Sequence, residues 1–245
     1  MSFWGALGCL TILPCGRRGM LAESELGRSF QWFAPVGLLV GGVLVGVHAV
    51  ASRLAPPSVA AACVLAVWVV ITGALHLDGF ADVCDGLYGG HTPEERLRIM
   101  KDPHVGAMAV VAVSVLLILK AALIGSLSQR IAMPALLLSP CLGRFAMVWL
   151  GTTLPYARAE GGVAEAFVRS AGRRPLWWAS GVAFIAAGWL LGVRGIGIAL
   201  GSLLATCILC AVFRRTLGGV TGDALGAAGE LLEVLTLLAV VIVES

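Results

Sequence analysis

The sequence predicts an all-α fold, a polytopic membrane helix bundle of about seven transmembrane helices preceded by an interfacial helix. Three observations lead there. The 245 residues are 59% hydrophobic and only 13% charged, against roughly 25% charged in an average soluble domain. Mean hydropathy is +0.95. The apolar residues fall into stretches of about 20, long enough to cross hydrocarbon, while charged residues gather between them. A disordered chain is excluded, because it needs low hydrophobicity and high net charge. A soluble enzyme of ordinary composition is excluded because too few polar side chains exist to cover one. Residues 1–245 read as a single integral-membrane domain. A net charge of +3 with dispersed basic residues gives no reason to expect a nucleic-acid partner.

Phe3 to Pro14 is apolar but about a dozen residues long, too short to span, and it is followed by Arg17 and Arg18. Residues 1–30 therefore read as an interfacial segment with Trp4 at headgroup level. Seven spans follow, at approximately 32–52, 58–77, 105–125, 132–154, 176–193, 195–213 and 225–243. Pro56-Pro57 separates the first two, and Pro134 and Pro140 are candidate kinks in the fourth. The fifth and sixth meet at Val193-Arg194-Gly195 with almost no loop, as a tight hairpin would. Gly37-x-x-x-Gly41 and Gly197-x-x-x-Gly201 have the spacing that lets helices approach closely. Of the seven cysteines, most lie inside apolar runs and read as small buried residues rather than a disulfide framework.

Basic residues set the orientation. Twelve (Arg17, Arg18, Arg28, Arg96, Arg98, Lys101, Arg158, Arg169, Arg173, Arg174, Arg214 and Arg215) fall on the side of the amino terminus, and three (Arg53, Arg130 and Arg194) on the other. That asymmetry places the amino terminus in the cytoplasm. The longer connections, 78–104, 155–175 and 214–224, then all face the cytoplasm and carry most of the polar chemistry. An enzyme using cytoplasmic substrates fits this better than a conduit with two equivalent mouths.

The sharpest chemical signal is His76-Leu-Asp78-Gly-Phe-Ala-Asp82-Val-Cys-Asp85-Gly86. At 100° per residue Asp82 lies about 40° from Asp78 and Asp85 about 20° to the other side, so a continuous helix puts all three carboxylates on one face. Three such anions repel in a half-dry setting unless a cation joins them. Oxygen-only ligation by Asp78, Asp82 and Asp85 suits Mg²⁺, with Mn²⁺ as an alternative. Asp223, Glu230 and Glu233 form a second stripe at the start of the last span, and Arg144, in the middle of the fourth, is expected to pair with Glu230 or Glu233 inside the bundle. Lys120 reads as a snorkelling residue without a role. Arg98, Lys101 and Arg158 are cations beside the acidic cluster, suited to a pyrophosphate-bearing substrate. Arg173 and Arg174 read as headgroup anchors.

The segment Leu75-His76-Leu77-Asp78-Gly79-Phe80-Ala81-Asp82 with Asp85-Gly86, followed by Arg98-Ile99-Met100-Lys101-Asp102 and Gly106, resembles the core of the cobalamin synthase family, the adenosylcobinamide-GDP ribazoletransferases. Leu10-Thr11 with Leu13-Pro14, Pro35-x-Gly37, Pro155-Tyr156-Ala157-Arg158 and Gly218-Gly219-x-Thr221-Gly222-Asp223 match further blocks in the same order. The chain departs from the pattern at Ile12, where Arg is common, and at Val83-Cys84. The resemblance implies a Mg²⁺-dependent transferase in the cytoplasmic (inner) membrane of a bacterium. It would join adenosylcobinamide-GDP to α-ribazole, or its 5′-phosphate, and release GMP. The ribazole 3′-hydroxyl would attack the phosphorus on the cobinamide arm. Asp78, Asp82 and Asp85 would hold the metal, Lys101 and Arg158 would steady the leaving GMP, and His76, Asp102 and Asp223 are alternatives for orienting or deprotonating the hydroxyl. Arg98, Arg144 and Glu230 are further candidates for substrate contact. The lipid bilayer is a partner throughout, and the oligomeric state is left open. Two other readings stand beside this one. Asp82-x-x-Asp85-Gly86 has the start of a CDP-alcohol phosphotransferase motif, though Tyr88-Gly89 replaces its Ala-Arg. The acidic stripes also suit an ion path in a transporter, but no inverted repeat is visible.

Overall fold

The computed structural model describes residues 3–13, 27–162 and 164–244. Arg17, Arg18 and Pro14 lie outside the described residues. Helix α1 is Phe3–Leu10; a 3₁₀ turn at Phe30–Trp32 leads into α2, Phe33–Leu54; α3 is Pro57–Thr72; α4 is Leu75–Gly89; α5 is Pro93–Ile99; α6 is Ala107–Gly125; α7 is Gln129–Thr153; α8 is Glu165–Ser170; α9 is Arg173–Leu217; and α10 is Gly222–Glu244. The expected all-α membrane bundle is what forms. Five described helices are long and apolar enough to cross a membrane, or six if the bent pair α3–α4 is one span.

The 45 residues of α9 are interrupted at Gly192 (φ 58°, ψ −138°). A Cβ on Gly188 would lie 3.1 Å from Ile196 Cδ1. Eight residues of straight helix would hold those positions about 12 Å apart, so α9 doubles back and supplies two spans. The hairpin expected at Val193-Arg194-Gly195 is present, with its turn one residue earlier.

Helix α7 is the centre of the bundle. It is buried on nearly every side, from Ile131 to Gly151, and α2, α9 and α10 pack around it. Pro140 has no N–H for the Leu136 carbonyl, and that carbonyl faces Gly41 of α2. A Cβ at Gly37 or Gly41 would come within 2.4 or 2.6 Å of α7 backbone oxygens, so the Gly37-x-x-x-Gly41 spacing is a real helix contact. Gly197 and Gly201 meet nothing within 4 Å; they open on an apolar groove shared with Leu235, Ala239 and Val243 of α10. Cys141 is buried, but Cys63 and Cys207 are exposed, because a membrane bundle turns apolar residues outward to lipid as well as inward.

The second span ends earlier than expected. Instead of running through 77, the helix stops at Thr72, where Gly73 (φ 61°, ψ 27°) and Ala74 (φ 54°, ψ 9°) are both left-handed. The Gly73 N–H donates to the Val70 carbonyl and the Ala74 N–H to Val69, 2.9 and 3.0 Å, which closes the helix in a Schellman motif. Helix α4 then leaves at 88° to α3. Ala74 is the one described non-glycine residue with positive φ, a conformation that costs about 1–2 kcal/mol. Packing of α4 on α10 offsets that cost: a Cβ on Gly79 would sit 2.7 Å from Asp223 Cα.

Candidate active site

The three connections expected at one face do meet there. Arg96 donates from Nε to the Gly90 carbonyl (3.1 Å) and from Nη1 to the Thr216 carbonyl (3.0 Å). Residues 155–157 pair with Val220 through Ala157 N to Val220 O and Val220 N to Pro155 O, each 2.9 Å. Thr221 caps α10 by accepting from the Ala224 N–H at 3.1 Å. The cap sets Asp223 in the first turn, where Arg158 Nη2 donates to its Oδ2 at 2.6 Å. Arg158 also reaches the Met100 carbonyl at 3.4 Å, and its buried Nε has no acceptor.

The three aspartates of α4 share one helix as expected, yet they differ in surroundings. Asp78 is exposed and Asp82 half-buried. Asp82 accepts no hydrogen bond from any described residue and sits in the field of Asp223, Asp78 and Asp85. Asp85 is already engaged: its carboxylate accepts from the Gly106 N–H (2.6 Å) and the Ala109 N–H (2.8 Å). It therefore caps the amino end of α6, where a negative charge is favoured by the helix dipole. Among the described residues no three His, Cys, Asp or Glu groups stand close enough to hold a metal ion unaided.

Asp102 lies apart from this cluster, exposed in the turn after α5. It accepts from the His104 N–H (3.0 Å) and approaches its Nδ1 (2.6 Å), which holds its carboxyl below the usual carboxylate range. Lys101 pairs with Glu160 at the surface, and Glu160 is lowered in turn by that partner. Arg98, Arg173 and Arg174 are exposed.

Beneath the site, a neutral quartet of charges fills the bundle. Arg144 (0% exposed) pairs with Glu233 (0%), as expected, and Lys120 (2%) bridges Glu233 and Glu230 (3%), the latter at 2.9 Å. Lys120 thus does not snorkel. Its Nζ lies 4.0 Å from the centre of the Trp68 ring, because its face of α6 is turned to α10 rather than to lipid. The Glu233 backbone carbonyl accepts from Ser139 at 2.7 Å. Arg144 Nη2 lies 3.2 Å from His76 Nδ1. A guanidinium can only donate, so Nδ1 accepts and the imidazole proton is on Nε2. In this tautomer His76 has an Nε2–H to donate.

A cavity of about 270 Å³ opens beside the cluster. His76, Asp78, Arg158 and Asp223 line it, together with Tyr156 and an apolar wall that includes Phe30, Phe33 and Phe167. Arg144, Glu230, Lys101, Asp102, Asp82 and Asp85 do not line it. Sequence reasoning gave Lys120 no role, quoted Tyr156 only as part of the 155–158 block, and missed the phenylalanines. A lysine in mid-span was the available signal for the first, and nothing local marks Phe30, Phe33 or Phe167.

The sequence profile of the cobalamin-5-phosphate synthase family matches residues 2–241. The chain belongs to the cobalamin-5-phosphate synthase family. Similar curated proteins carry the name adenosylcobinamide-GDP ribazoletransferase. That of Syntrophobacter fumaroxidans is 39% identical over 97% of this chain and 96% of its own length. Those of Pseudomonas syringae pv. syringae and Ectopseudomonas mendocina are 41% and 44% identical, over 97% and 96% of this chain and 98% and 96% of theirs. No solved structure matches the fold. For a cobalamin-5-phosphate synthase family member, the segments that carry the resemblance are also the ones that meet in space. The 75–86 block supplies Asp78 and His76, the 155–158 block Arg158, and the 218–223 block Asp223.

Proposed function

We propose that this protein is the membrane transferase that joins adenosylcobinamide-GDP to α-ribazole, or to its 5′-phosphate, and releases GMP. The observation that carries the reading is the meeting of Arg158, Asp223, Asp78 and His76 on one cavity wall, in a chain that belongs to the family from end to end. In the reaction the ribazole 3′-oxygen bonds to the phosphorus on the cobinamide arm, the bridging P–O bond to GMP breaks, and the hydroxyl proton is lost. Such transfers ask a protein chiefly to position the partners and neutralise oxygens. Arg158, with an Nε–H still to be satisfied, suits a phosphate oxygen. Asp223 holds Arg158 in place. His76, donating from Nε2, suits a hydroxyl or phosphate oxygen. Asp223, on the cavity wall, is the candidate for the hydroxyl proton that the metal does not claim.

Mg²⁺, or Mn²⁺ in its place, fits these residues in a definite way. Mg²⁺ is commonly held by one or two carboxylates and completed by substrate phosphates, and a half-buried Asp82 among like charges is such a partial site. Asp78 and Asp82 would hold the ion, with Asp85 fixing α6 beside them; when bound it supplies Lewis-acid polarisation of the phosphate oxygens. The excess of basic residues at the mouth carrying Arg96, Arg98, Arg158, Arg214 and Arg215 supports a cytoplasmic orientation of that mouth in the inner membrane. The test is GMP release from the full chain in liposomes. Release needs both substrates, stops with EDTA and returns with Mg²⁺. GMP formed at the full rate in EDTA, or without ribazole, refutes the corresponding part of the reading.

A further inference from the structure

The cavity beside the acidic cluster has two kinds of wall. Phe30, Phe33 and Phe167 meet with ring centroids 4.8, 5.5 and 5.9 Å apart, and Leu10, Met147 and Leu225 extend that surface. His76, Asp78, Arg158 and Asp223 provide the polar lining. We infer that this cavity is the subsite of the acceptor nucleoside, and that the Phe33–Phe167 wall, backed by the fully buried Phe30, selects an apolar bicyclic base while the sugar faces Arg158 and Asp223. The inference rests on the two-substrate reading above and assigns one substrate to one place.

Volume decides first. Pockets for drug-sized ligands run from about 300 to 1,000 Å³. A cavity of about 270 Å³ accepts one base with its sugar and excludes a corrin macrocycle, which must dock at the open mouth. Base chemistry decides second. Guanine presents polar groups on several edges, and against phenylalanine each would lose its water without gaining a partner. A benzimidazole has one free ring nitrogen and two apolar faces, which aromatic edges and methylenes satisfy. The GDP half of the corrinoid substrate is therefore a poor occupant, and the ribazole base a good one. The position of the sugar also follows: hydroxyls cannot face the phenylalanines, so they turn to the polar lining, next to the groups that handle phosphate.

The decisive variant is Ala164→Phe in the full-length chain in liposomes. Ala164 lines the cavity but is half-exposed, so a ring added there fills the space without rebuilding the core. The Michaelis constant for α-ribazole should rise at least tenfold, with kcat and the constant for adenosylcobinamide-GDP within twofold. Calorimetry of α-ribazole alone with the chain in nanodiscs should show the same loss of binding. A second measurement is internal to each variant and independent of its yield. The wild type should prefer a benzimidazole riboside over an adenine riboside by about 10- to 100-fold, as expected for unpaired polar edges, and Phe167→Asn should narrow that ratio. If Ala164→Phe instead raises the constant for the corrinoid substrate, or leaves ribazole binding unchanged, the assignment is wrong. Absence of GMP formation by the wild type with both substrates would refute the proposed reaction, while the nucleoside calorimetry would still decide the occupant of the cavity.

Discussion

Lys120 and Glu230 offer the most stringent check on the buried quartet. Their charges lie 2.9 Å apart and are almost wholly removed from solvent. At an effective dielectric constant near 20 their attraction is about 6 kcal/mol, while the desolvation of each ion costs several kcal/mol. The pair is thus close to neutral in net stability, but either partner alone is not. Lys120→Met leaves Glu230 and Glu233 with Arg144 as their only cation, and Glu230→Gln leaves Lys120 and Arg144 with only Glu233. Each single substitution should cost about 3–5 kcal/mol. The double variant Lys120→Met/Glu230→Gln restores a neutral core of Arg144 and Glu233, and it should cost less than about 2 kcal/mol, a coupling of several kcal/mol. Reversible unfolding in mixed micelles, followed by circular dichroism as the denaturing detergent fraction rises, measures all four proteins. Equal and additive losses, with the double variant the least stable, would show that the two charges do not compensate each other and that the quartet is wrongly drawn.

Gly79→Ala places a Cβ 2.7 Å from Asp223 Cα; α4 and α10 must separate, at about 1–3 kcal/mol, and GMP release should fall roughly 100-fold because Asp78 shifts against Arg158. Asp82→Asn should abolish turnover with an unchanged melting temperature. Asp85→Asn should cost about 1 kcal/mol by leaving the Gly106 or Ala109 N–H without its acceptor, and turnover should survive in part; the opposite ranking of the two variants would make Asp85 the principal ligand. The ¹⁵N resonances of His76 should show an unprotonated Nδ1, and a protonated Nδ1 would contradict its contact with Arg144.

Much of the site was legible in sequence because it depends on spacing within single helices. The four-and-three spacing of Asp78, Asp82 and Asp85 sets one helical face whether or not the helix starts where expected. Arg144 and Glu233 had to find partners because a mid-span charge without one is costly. The excess of arginine on one side groups the connections 78–104, 155–175 and 214–224, and Arg96, Arg158 and Val220 join them in the fold. Other features depend on contacts that no local pattern encodes. Whether Lys120 snorkels or turns inward is decided by which face of α6 meets α10. That the Gly106 and Ala109 N–H groups donate to Asp85 is not written in its helical spacing. Phe30, Phe33 and Phe167 come from segments more than 130 residues apart, and their meeting is a property of the packed bundle.

The bend at Gly73–Ala74 is what brings the acidic helix against α10. A helix continuing straight from Thr72 would carry Asp78 about 9 Å and Asp85 about 20 Å farther along its axis, away from α10 and Arg158. Turned by 88°, the same residues lie across the first turn of α10, and Gly79 abuts Asp223. Hydropathy gives no warning of the bend, because Ile71, Leu75 and Leu77 keep the stretch apolar through the break. The warning that did exist was Gly73, whose missing side chain permits both the positive φ and the approach of Ile12, 2.8 Å from where its Cβ would be. Ile12 is in turn joined to α3 by its N–H to the Ile71 carbonyl at 2.9 Å. The amino-terminal segment, read from sequence as lying on the membrane, braces the corner from which the acidic helix departs, and Cys9 and Leu10 close the cavity behind it.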